Sequence, residues 1–288
     1  SLIVILPGLF FLARYGLKLS IDFTGGTLME IQNEKVKSPG DNNKIKAIYA
    51  ENKIEFGQIQ KIGMGAFLIR SGGIDNQKKT KLVDDLQKDF GPITITRFDM
   101  VGPVIGKELT QNALWAVLVA SIAIVVYIAY VFRGIPKPYS SWKFGLAAII
   151  ALIHDILVVI GVFAILGHFA GVEVDALFVT ALLTVMGFSV HDTIVVFDRV
   201  RENLRKSGGK GDFEEIVNES LIETLARSLN TSLTVLLVLF TLILFGGESI
   251  KWFVVALFVG VFSGTYSSIF NAAPLLVIWE SKPNSKIS

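Results

Sequence analysis

Three ionisable residues, His154, Asp155 and Asp192, lie inside long apolar stretches of the sequence. A charged group at the centre of a bilayer costs roughly 2.5–3.5 kcal/mol on insertion scales, so a buried carboxyl there needs a compensating role. Apolar residues flank Asp192 on both sides, and its short side chain cannot reach the membrane surface. Because intramembrane acids usually mark ion pathways, the sequence predicts that Asp192 binds and releases protons.

A polar stripe follows further along the chain. Arg227 opens another apolar stretch, and Asn230, Thr231 and Thr234 follow it on the same helical face. Burial favours a neutral carboxyl, whereas a nearby guanidinium favours the carboxylate. A site balanced between these effects can accept and release a proton as its surroundings move. We therefore expect Asp192 to couple protons together with Arg227.

Structural roles for these buried groups stay open at this stage. A static salt bridge between Asp192 and Arg227 would only hold helices together, since polar groups also join membrane helices. Asp155 is either a hydrogen-bonded structural residue beside His154 or a support for the proton site. Ser189, one helical turn before Asp192, is a further candidate support.

Small residues near the end of the chain predict close helix packing rather than chemistry. They are Gly260, Gly264, Ser267 and Ser268.

Several classes of function are excluded by the residues that the sequence lacks. It has no Cys, which excludes disulfides, iron–sulfur clusters and thiolate zinc sites, and its three His leave little for another metal site. The Gly25-Gly26 and Gly72-Gly73 pairs lack the Lys-Ser/Thr of a nucleotide-binding loop, and no Ser-His-Asp spacing is present. A net charge of +2 predicts no nucleic-acid partner. We expect a protein that is not an enzyme, has no cofactor and uses protons as its coupling ion.

Long apolar helices must position the buried groups. Hydrophobic residues make up 52% of the 288 residues and charged residues only 18%, too apolar a composition for a soluble protein of this size. A membrane-spanning helix takes about 20 residues. Five runs meet that length, at about 111–132, 144–167, 175–197, 228–246 and 252–279. A shorter run at 1–16 could be a signal peptide, but no small-residue cleavage site follows, so we interpret it as a truncated first span. The prediction is a polytopic α-helical membrane protein with six transmembrane helices.

A polar domain interrupts these spans at residues 17–109. Between residues 18 and 107 lie 14 of the 27 basic and 11 of the 25 acidic residues. Alternating and helical patterns predict strands at 27–32, 58–62, 66–70 and 93–98 and helices at 42–51 and 76–89. The order β-α-β-β-α-β is that of a ferredoxin-like α+β domain, and we interpret it as a binding platform.

Basic residues in the short loops predict the orientation in the membrane. The 133–143 loop holds three basic residues and no acid, and five more lie between 199 and 210. Positive loops face the cytoplasm, so both termini and the tail at 281–288 are expected there, with 18–107 on the opposite side. Within the five-helix bundle at 110–280, residues 212–225 are amphipathic and predict a cytoplasmic or interfacial helix.

Five motifs together resemble the SecD–SecF family of bacterial protein-export membrane proteins, within the resistance-nodulation-division superfamily. Each lies at a predicted span or next to one, and they cover essentially the whole chain. They are Asp22-Phe23-Thr24-Gly25-Gly26, the segment 101–109, His154-Asp155, the segment 192–203 and the segment 263–270.

The resemblance implies a subunit that pairs with SecD in the bacterial inner membrane. In the family, proton flow through the bundle moves the outside domains, which pull exported polypeptide across. It also implies the export channel, unfolded exported polypeptide and the lipid bilayer as partners, and it maps the proton-coupling pair onto Asp192 and Arg227. Two alternatives remain: an efflux or lipid transporter of the same superfamily, and a scaffold that conducts no protons.

Overall fold

A computed structural model of the chain describes residues 1–32, 39–62, 66–136, 139–208, 211–247 and 249–280. The α-helices of this described part are Leu2–Tyr15 (α1), Ile21–Thr24 (α2), Pro39–Glu51 (α3), Asn76–Phe90 (α4), Pro103–Val131 (α5), Ser141–Ala170 (α6), Ala176–Lys206 (α7), Phe213–Phe245 (α8), Lys251–Ser267 (α9) and Ala273–Glu280 (α10). Its β-strands are Gly26–Gln32 (β1), Phe56–Ile62 (β2), Ala66–Ser71 (β3) and Thr94–Val101 (β4). The chain divides into two compact units, one of residues 19–113 and one of residues 1–18 with 114–288.

The 19–113 unit contains a four-stranded sheet in the order β2-β3-β1-β4, and every neighbouring pair of strands is antiparallel. Along the chain its elements run β1, α3, β2, β3, α4, β4. Residues alternate between buried and partly buried along β3, because successive side chains of a strand point to opposite faces.

The core of this unit lies between one face of the sheet and helices α3 and α4. Met29, Ile69, Ile45 and Leu82 contribute to it from β1, β3, α3 and α4, and each is at most 1% exposed. Helix α4 begins where the side chain of Asp75 accepts a hydrogen bond from the backbone N–H of Lys78 at 2.7 Å.

Two consecutive glycines allow a close backbone approach at the start of β1. Gly25 and Gly26 both have positive φ values, of 73° and 127°. A Cβ atom on Gly26 would lie 2.7 Å from the carbonyl oxygen of Ser71, and one on Gly25 would lie 3.0 Å from Cα of Pro103. Only glycine fits both the backbone conformation and the space, so this pair has a structural role in joining β1 to its neighbours.

Tyr49 is predicted to resist ionisation well above pH 10. Its side chain is fully buried in the core, and its hydroxyl has no hydrogen-bond partner among the described residues. Burial raises the pKa of Tyr49 above its ordinary value, so the folded state keeps a proton that the unfolded state loses. Stability should therefore fall as the pH rises through about 10, by up to about 1.4 kcal/mol per pH unit.

Tyrosinate absorbance of the wild type minus that of Tyr49→Phe isolates this group. We expect no Tyr49 signal at pH 11 while the protein is folded, and a normal titration after denaturation. Ionisation of Tyr49 near pH 10 in the folded protein would contradict the prediction.

Five helices of the described part are long and apolar enough to cross a membrane. Each of the five helices contains one of the predicted spans to within one residue at its ends, namely 111–132, 144–167, 175–197, 228–246 and 252–279. The last is formed by α9, a π-helical turn at Ser268–Ala272 and α10. Helix α1 is apolar but has only 14 residues. Its role as a sixth span stays a prediction. The predicted tail at 281–288 and residues 137–138 of the basic loop lie outside the described residues.

The predicted amphipathic helix at 212–225 is not a separate element. It forms the first turns of α8, a single 33-residue helix that continues through the span. The side chain of Asp212 accepts a hydrogen bond from the backbone N–H of Glu214 and caps its start. No Gly or Pro lies between 213 and 245, so nothing ends the helix in between. The helix predicted at 212–225 is therefore continuous with the span predicted at 228–246, and its cytoplasmic or interfacial position stays a prediction.

Candidate functional site

Asp155 and Asp192 are both buried in the unit formed by residues 1–18 and 114–288. Asp155, on α6, is 0% exposed, and Asp192, on α7, is 7% exposed. Neither forms an ion pair with Lys or Arg in the described part of the chain. Two carboxyl groups are therefore withdrawn from water without a permanent cation, and hydrogen bonds must stabilise them.

Asp155 accepts hydrogen bonds from three serine hydroxyls on neighbouring helices and lies within hydrogen-bond distance of His154, the residue before it. Ser189 on α7 and Ser267 on α9 each donate to Oδ2 at 2.6 Å. Ser263 on α9 donates to Oδ1 at 2.7 Å, and Nδ1 of His154 lies 2.9 Å from the same oxygen. A carboxylate has about four acceptor positions, so this set fills them.

Asp192 has a sparser hydrogen-bonding environment. The hydroxyl of Ser268 donates to its Oδ2 at 2.6 Å, and this hydroxyl also lies 3.0 Å from the carbonyl oxygen of Thr265. Ser268 has one proton and two acceptors within reach. It can therefore donate to an ionised Asp192, or donate to Thr265 while it accepts from a protonated Asp192. The geometry accommodates both protonation states.

A π-helical turn brings consecutive serines to two different carboxyl groups. Ser267 bonds Asp155 and Ser268 bonds Asp192, at the point where α9 gives way to the turn at Ser268–Ala272. Pro274, two residues after this turn, has no N–H to continue the helical ladder, which explains an irregular turn here. The sequence assigned Ser267 and Ser268 to helix packing, but their hydroxyls also bind the two buried acids.

Gly260 and Gly264 set the distance between α9 and α7. A Cβ atom on Gly260 would lie 2.1 Å from Cγ2 of Val185. One on Gly264 would lie 3.2 Å from Cα of Ser189 and 3.6 Å from Oδ2 of Asp155. Small residues at these positions let the two helices approach closely enough for the serines to reach the acids.

The polar stripe on α8 lies away from both acids. Arg227, Asn230, Thr231 and Thr234 are all exposed, and the hydroxyl of Thr234 bonds the carbonyl of Thr231 on its own helix. Arg227 forms no ion pair within the described residues. The structure therefore does not bring Asp192 and Arg227 together, and their coupling stays a prediction.

The opposite face of α8 carries the buried hydroxyls. Ser232 accepts a hydrogen bond from Thr265 on α9 at 2.6 Å. Ser228, one turn earlier, is buried, and its hydroxyl has no partner among the described residues. Polar residues thus occur on both sides of this helix, and the sequence pattern alone did not separate the two sets.

Ser263 is a site residue that the sequence pattern did not predict. It lies four residues before Ser267, on the same face of α9, and both hydroxyls bind Asp155. That spacing was a usable signal.

His191, the neighbour of Asp192, lies on the exposed side of α7. Among the described residues no group of three or more His, Cys, Asp or Glu could hold a metal ion.

A cavity of about 310 Å³ is lined in part by His154 and Ser263, two of the residues that contact Asp155. Its walls are mainly apolar and include Val158, Val162, Phe262 and Tyr266 as well as His154. Nε2 of His154 is buried and has no hydrogen-bond partner in the described structure. The ring of Tyr266 stacks on the imidazole with 6.4 Å between ring centroids.

Comparisons with known proteins give consistent matches. The family described as "Protein export membrane protein SecD/SecF, C-terminal" matches residues 81–282, and the "SecD/SecF GG Motif" matches residues 10–32. The protein translocase subunit SecF of Thermobaculum terrenum is 48% identical over 98% of this chain and 90% of its own length. SecDF of Bacillus subtilis is 35% identical over 99% of this chain, which spans 37% of that protein.

Solved structures agree with the sequence matches. The crystal structure of SecDF from Thermus thermophilus, a translocon-associated membrane protein, matches with a TM-score of 0.82 and 33% identity. The match covers 98% of this chain and 37% of that one. SecDF in a super-membrane-facing form matches with a TM-score of 0.66 over the same shares.

Proposed function

Because this chain belongs to the SecF side of the SecD/SecF family of protein-export membrane proteins, we propose that it works with SecD to couple the proton-motive force to polypeptide export. The observation that carries the proposal is the environment of Asp192, a buried carboxyl held by one hydroxyl that has a second acceptor. Such a group can bind and release a proton with little rearrangement of its partners. Nucleotide hydrolysis has no part in this mechanism.

The energy available is sufficient for a conformational step. One proton crossing the membrane carries roughly 2.3 kcal/mol per 100 mV. Two states of a protein that differ by a few kcal/mol can be interconverted by a few such charges. In the proposal, protonation of Asp192 changes the hydrogen bond between α7 and the turn after α9, and the packing of these helices transmits the change.

The exposed faces of two spans support pairing with SecD. In the most apolar part of the span at Pro103–Gly134, only 6% of the residues are buried. In the most apolar part of α8, only 17% of the residues are buried. Helix α8 also presents Arg227, Asn230, Thr231 and Thr234 on its exposed side. An arginine facing lipid is costly, so a protein partner is the better neighbour for this surface. We propose that SecD covers it and that Arg227 approaches Asp192 in the complex during the cycle.

The proposed topology has six spans, with α1 as the first and both termini in the cytoplasm of a bacterium with an inner membrane. Residues 18–107 then lie outside as a ferredoxin-like domain that contacts unfolded exported polypeptide near the export channel. The element order β1, α3, β2, β3, α4, β4 and the strand order β2-β3-β1-β4 support the ferredoxin-like part of this proposal.

Export into membrane vesicles tests the function. Vesicles containing the export channel are compared with and without this chain and with and without SecD, each with and without an imposed proton gradient. We expect the gradient to increase the amount of translocated polypeptide only when both proteins are present. An equal increase without this chain would refute proton coupling through it, and a gradient-independent increase would identify it as a scaffold.

Arg227→Ala is predicted to separate function from folding. Because Arg227 is exposed and unpaired within the described residues, its loss should change the free energy of unfolding by no more than about 0.5 kcal/mol. The gradient-stimulated part of export should nevertheless be lost. Lys251→Ala, a basic residue elsewhere in the membrane unit, serves as the matched control and should retain stimulation. Unchanged stimulation in Arg227→Ala would remove Arg227 from the proposed coupling.

A further inference from the structure

We propose that Asp155 is a second proton-binding carboxyl of the bundle and that His154 is the residue through which it exchanges protons with water. The inference rests on the proposed proton-driven function. It adds a second proton-binding site, which is separate from Asp192 and from the polar stripe on α8. It is carried by the complete hydrogen-bond set of Asp155, the unpartnered nitrogen of His154 and the cavity beside it.

The contacts of Asp155 define the state of the imidazole. Both oxygens of the ionised carboxylate can only accept, so Nδ1 of His154 carries the proton that it shares with Oδ1 at 2.9 Å. In a neutral ring the other nitrogen, Nε2, then has a free lone pair. His154 lines the cavity, and this atom is buried and has no hydrogen-bond partner among the described residues.

A balanced proton transfer follows from that arrangement. A hydronium ion reaching Nε2 transfers one proton to it and leaves as water, and Nδ1 passes its own proton to Oδ1 of Asp155. His154 ends neutral with its proton on Nε2, Asp155 ends as a neutral carboxylic acid, and one proton has moved from the cavity to the acid. The cavity walls are mainly apolar, so we expect water to occupy the cavity only transiently.

The surrounding hydroxyls tolerate both states of Asp155. The hydroxyl of Ser267 lies 2.6 Å from Oδ2 of Asp155 and 3.2 Å from the carbonyl oxygen of Gly264. Once Oδ1 carries the proton and shares it with Nδ1 of His154, Oδ2 still accepts from Ser267, and this hydroxyl also has Gly264 as a second acceptor, as Ser268 has Thr265. The two acids therefore have the same kind of adaptable partner, one residue apart on the chain.

Within the described residues, few other titratable groups contact this site from the helices packed around it, and at the cavity beside His154 the neighbours include Ser1 and Val4. Ser189 faces Asp155 from α7, and Ser263 and Ser267 face it from α9. Tyr266 stacks on His154. Ser268, the residue after Ser267, binds the other buried acid, Asp192. The alternative is a permanently ionised, purely structural Asp155, because four donors also stabilise a carboxylate.

Infrared difference spectroscopy of the full complex with SecD in lipid vesicles separates these possibilities. A protonated carboxyl has a carbonyl-stretch band that an ionised one lacks, and the pH is stepped to reveal such bands. We expect Asp155→Asn to remove one band and Asp192→Asn to remove another. Ser267→Ala should shift the frequency of the Asp155 band, and this variant keeps the test valid if Asp155→Asn fails to fold. Asp198→Asn, an exposed acid on α7, is the control and should change neither band.

The possible outcomes are distinct. If Asp155→Asn removes no band and Ser267→Ala shifts no frequency, then Asp155 stays ionised. That result would overturn this inference. Loss of the Asp155 band together with a large decrease in gradient-stimulated export would support it. Failure of the proposed function would give a different result, because the proton gradient would then stimulate export in Asp192→Asn as strongly as in the wild type.

Discussion

Asp192→Asn is expected to abolish the gradient-stimulated part of export while leaving the protein folded and assembled with SecD. Asparagine keeps the size of the side chain and can still accept the hydrogen bond that Ser268 donates at 2.6 Å. It cannot bind or release a proton near neutral pH. The roughly 2.3 kcal/mol that one proton carries per 100 mV corresponds to about fiftyfold in an equilibrium, so the loss of stimulation should be large.

The matched control is Asp198→Asn. Asp198 lies on the same helix, but its side chain is 54% exposed and forms an ion pair with Arg201. Exposed ion pairs contribute about 0–1 kcal/mol, so this variant should retain both stability and stimulation. Export is measured in vesicles with and without an imposed gradient, with assembly checked by copurification of SecD. Wild-type stimulation in Asp192→Asn would show that this carboxyl is structural, and the chain would be better described as a scaffold.

Gly260→Ala is expected to destabilise the bundle by about 2 kcal/mol, within the usual range for overpacking. The added Cβ would lie 2.1 Å from Cγ2 of Val185, and Val185 is fully buried, so neither helix can yield easily. A β-branched side chain also has few alternative rotamers. Thermal unfolding in detergent should give a Tm several degrees below that of the wild type.

Two further variants isolate the steric cause. Gly187→Ala also places alanine in a membrane helix, but nothing lies within 4 Å of its Cβ, so it should be neutral or slightly stabilising. Val185→Ala removes the atoms that clash, so the double variant Gly260→Ala, Val185→Ala should be more stable than the two single effects predict. Strict additivity of the two substitutions would contradict the steric explanation.

Much of the architecture could be predicted because it depends on patterns local in sequence. Apolar runs near the length of a bilayer-spanning helix identified five long helices, and the alternating segments between 18 and 107 identified the strands and helices of the polar domain. Local patterns gave less information about helix ends. Residues 212–225 looked like a separate amphipathic helix, yet without Gly or Pro they continue into the span as α8.

The partners of the buried acids could not be predicted in the same way. Pairing Asp192 with Arg227 follows from charge, but which face of α8 points inward depends on packing against α7 and α9. The structure turns Ser228 and Ser232 inward and Arg227 outward. A sequence with polar residues on both faces of a helix does not distinguish these two orientations.

The sequence by itself determined that carboxyl groups lie within helices long and apolar enough to span a membrane, because hydropathy and helix length are properties of continuous segments. Only the tertiary structure decided that Asp155 is the most fully hydrogen-bonded of them and that serines from α7 and α9 stabilise it. Those hydroxyls lie 34 to 112 residues away along the chain, and glycine contacts between helices together with an irregular turn before Pro274 bring them to the acid. Such contacts depend on the rotation and spacing of whole helices, which no local pattern specifies.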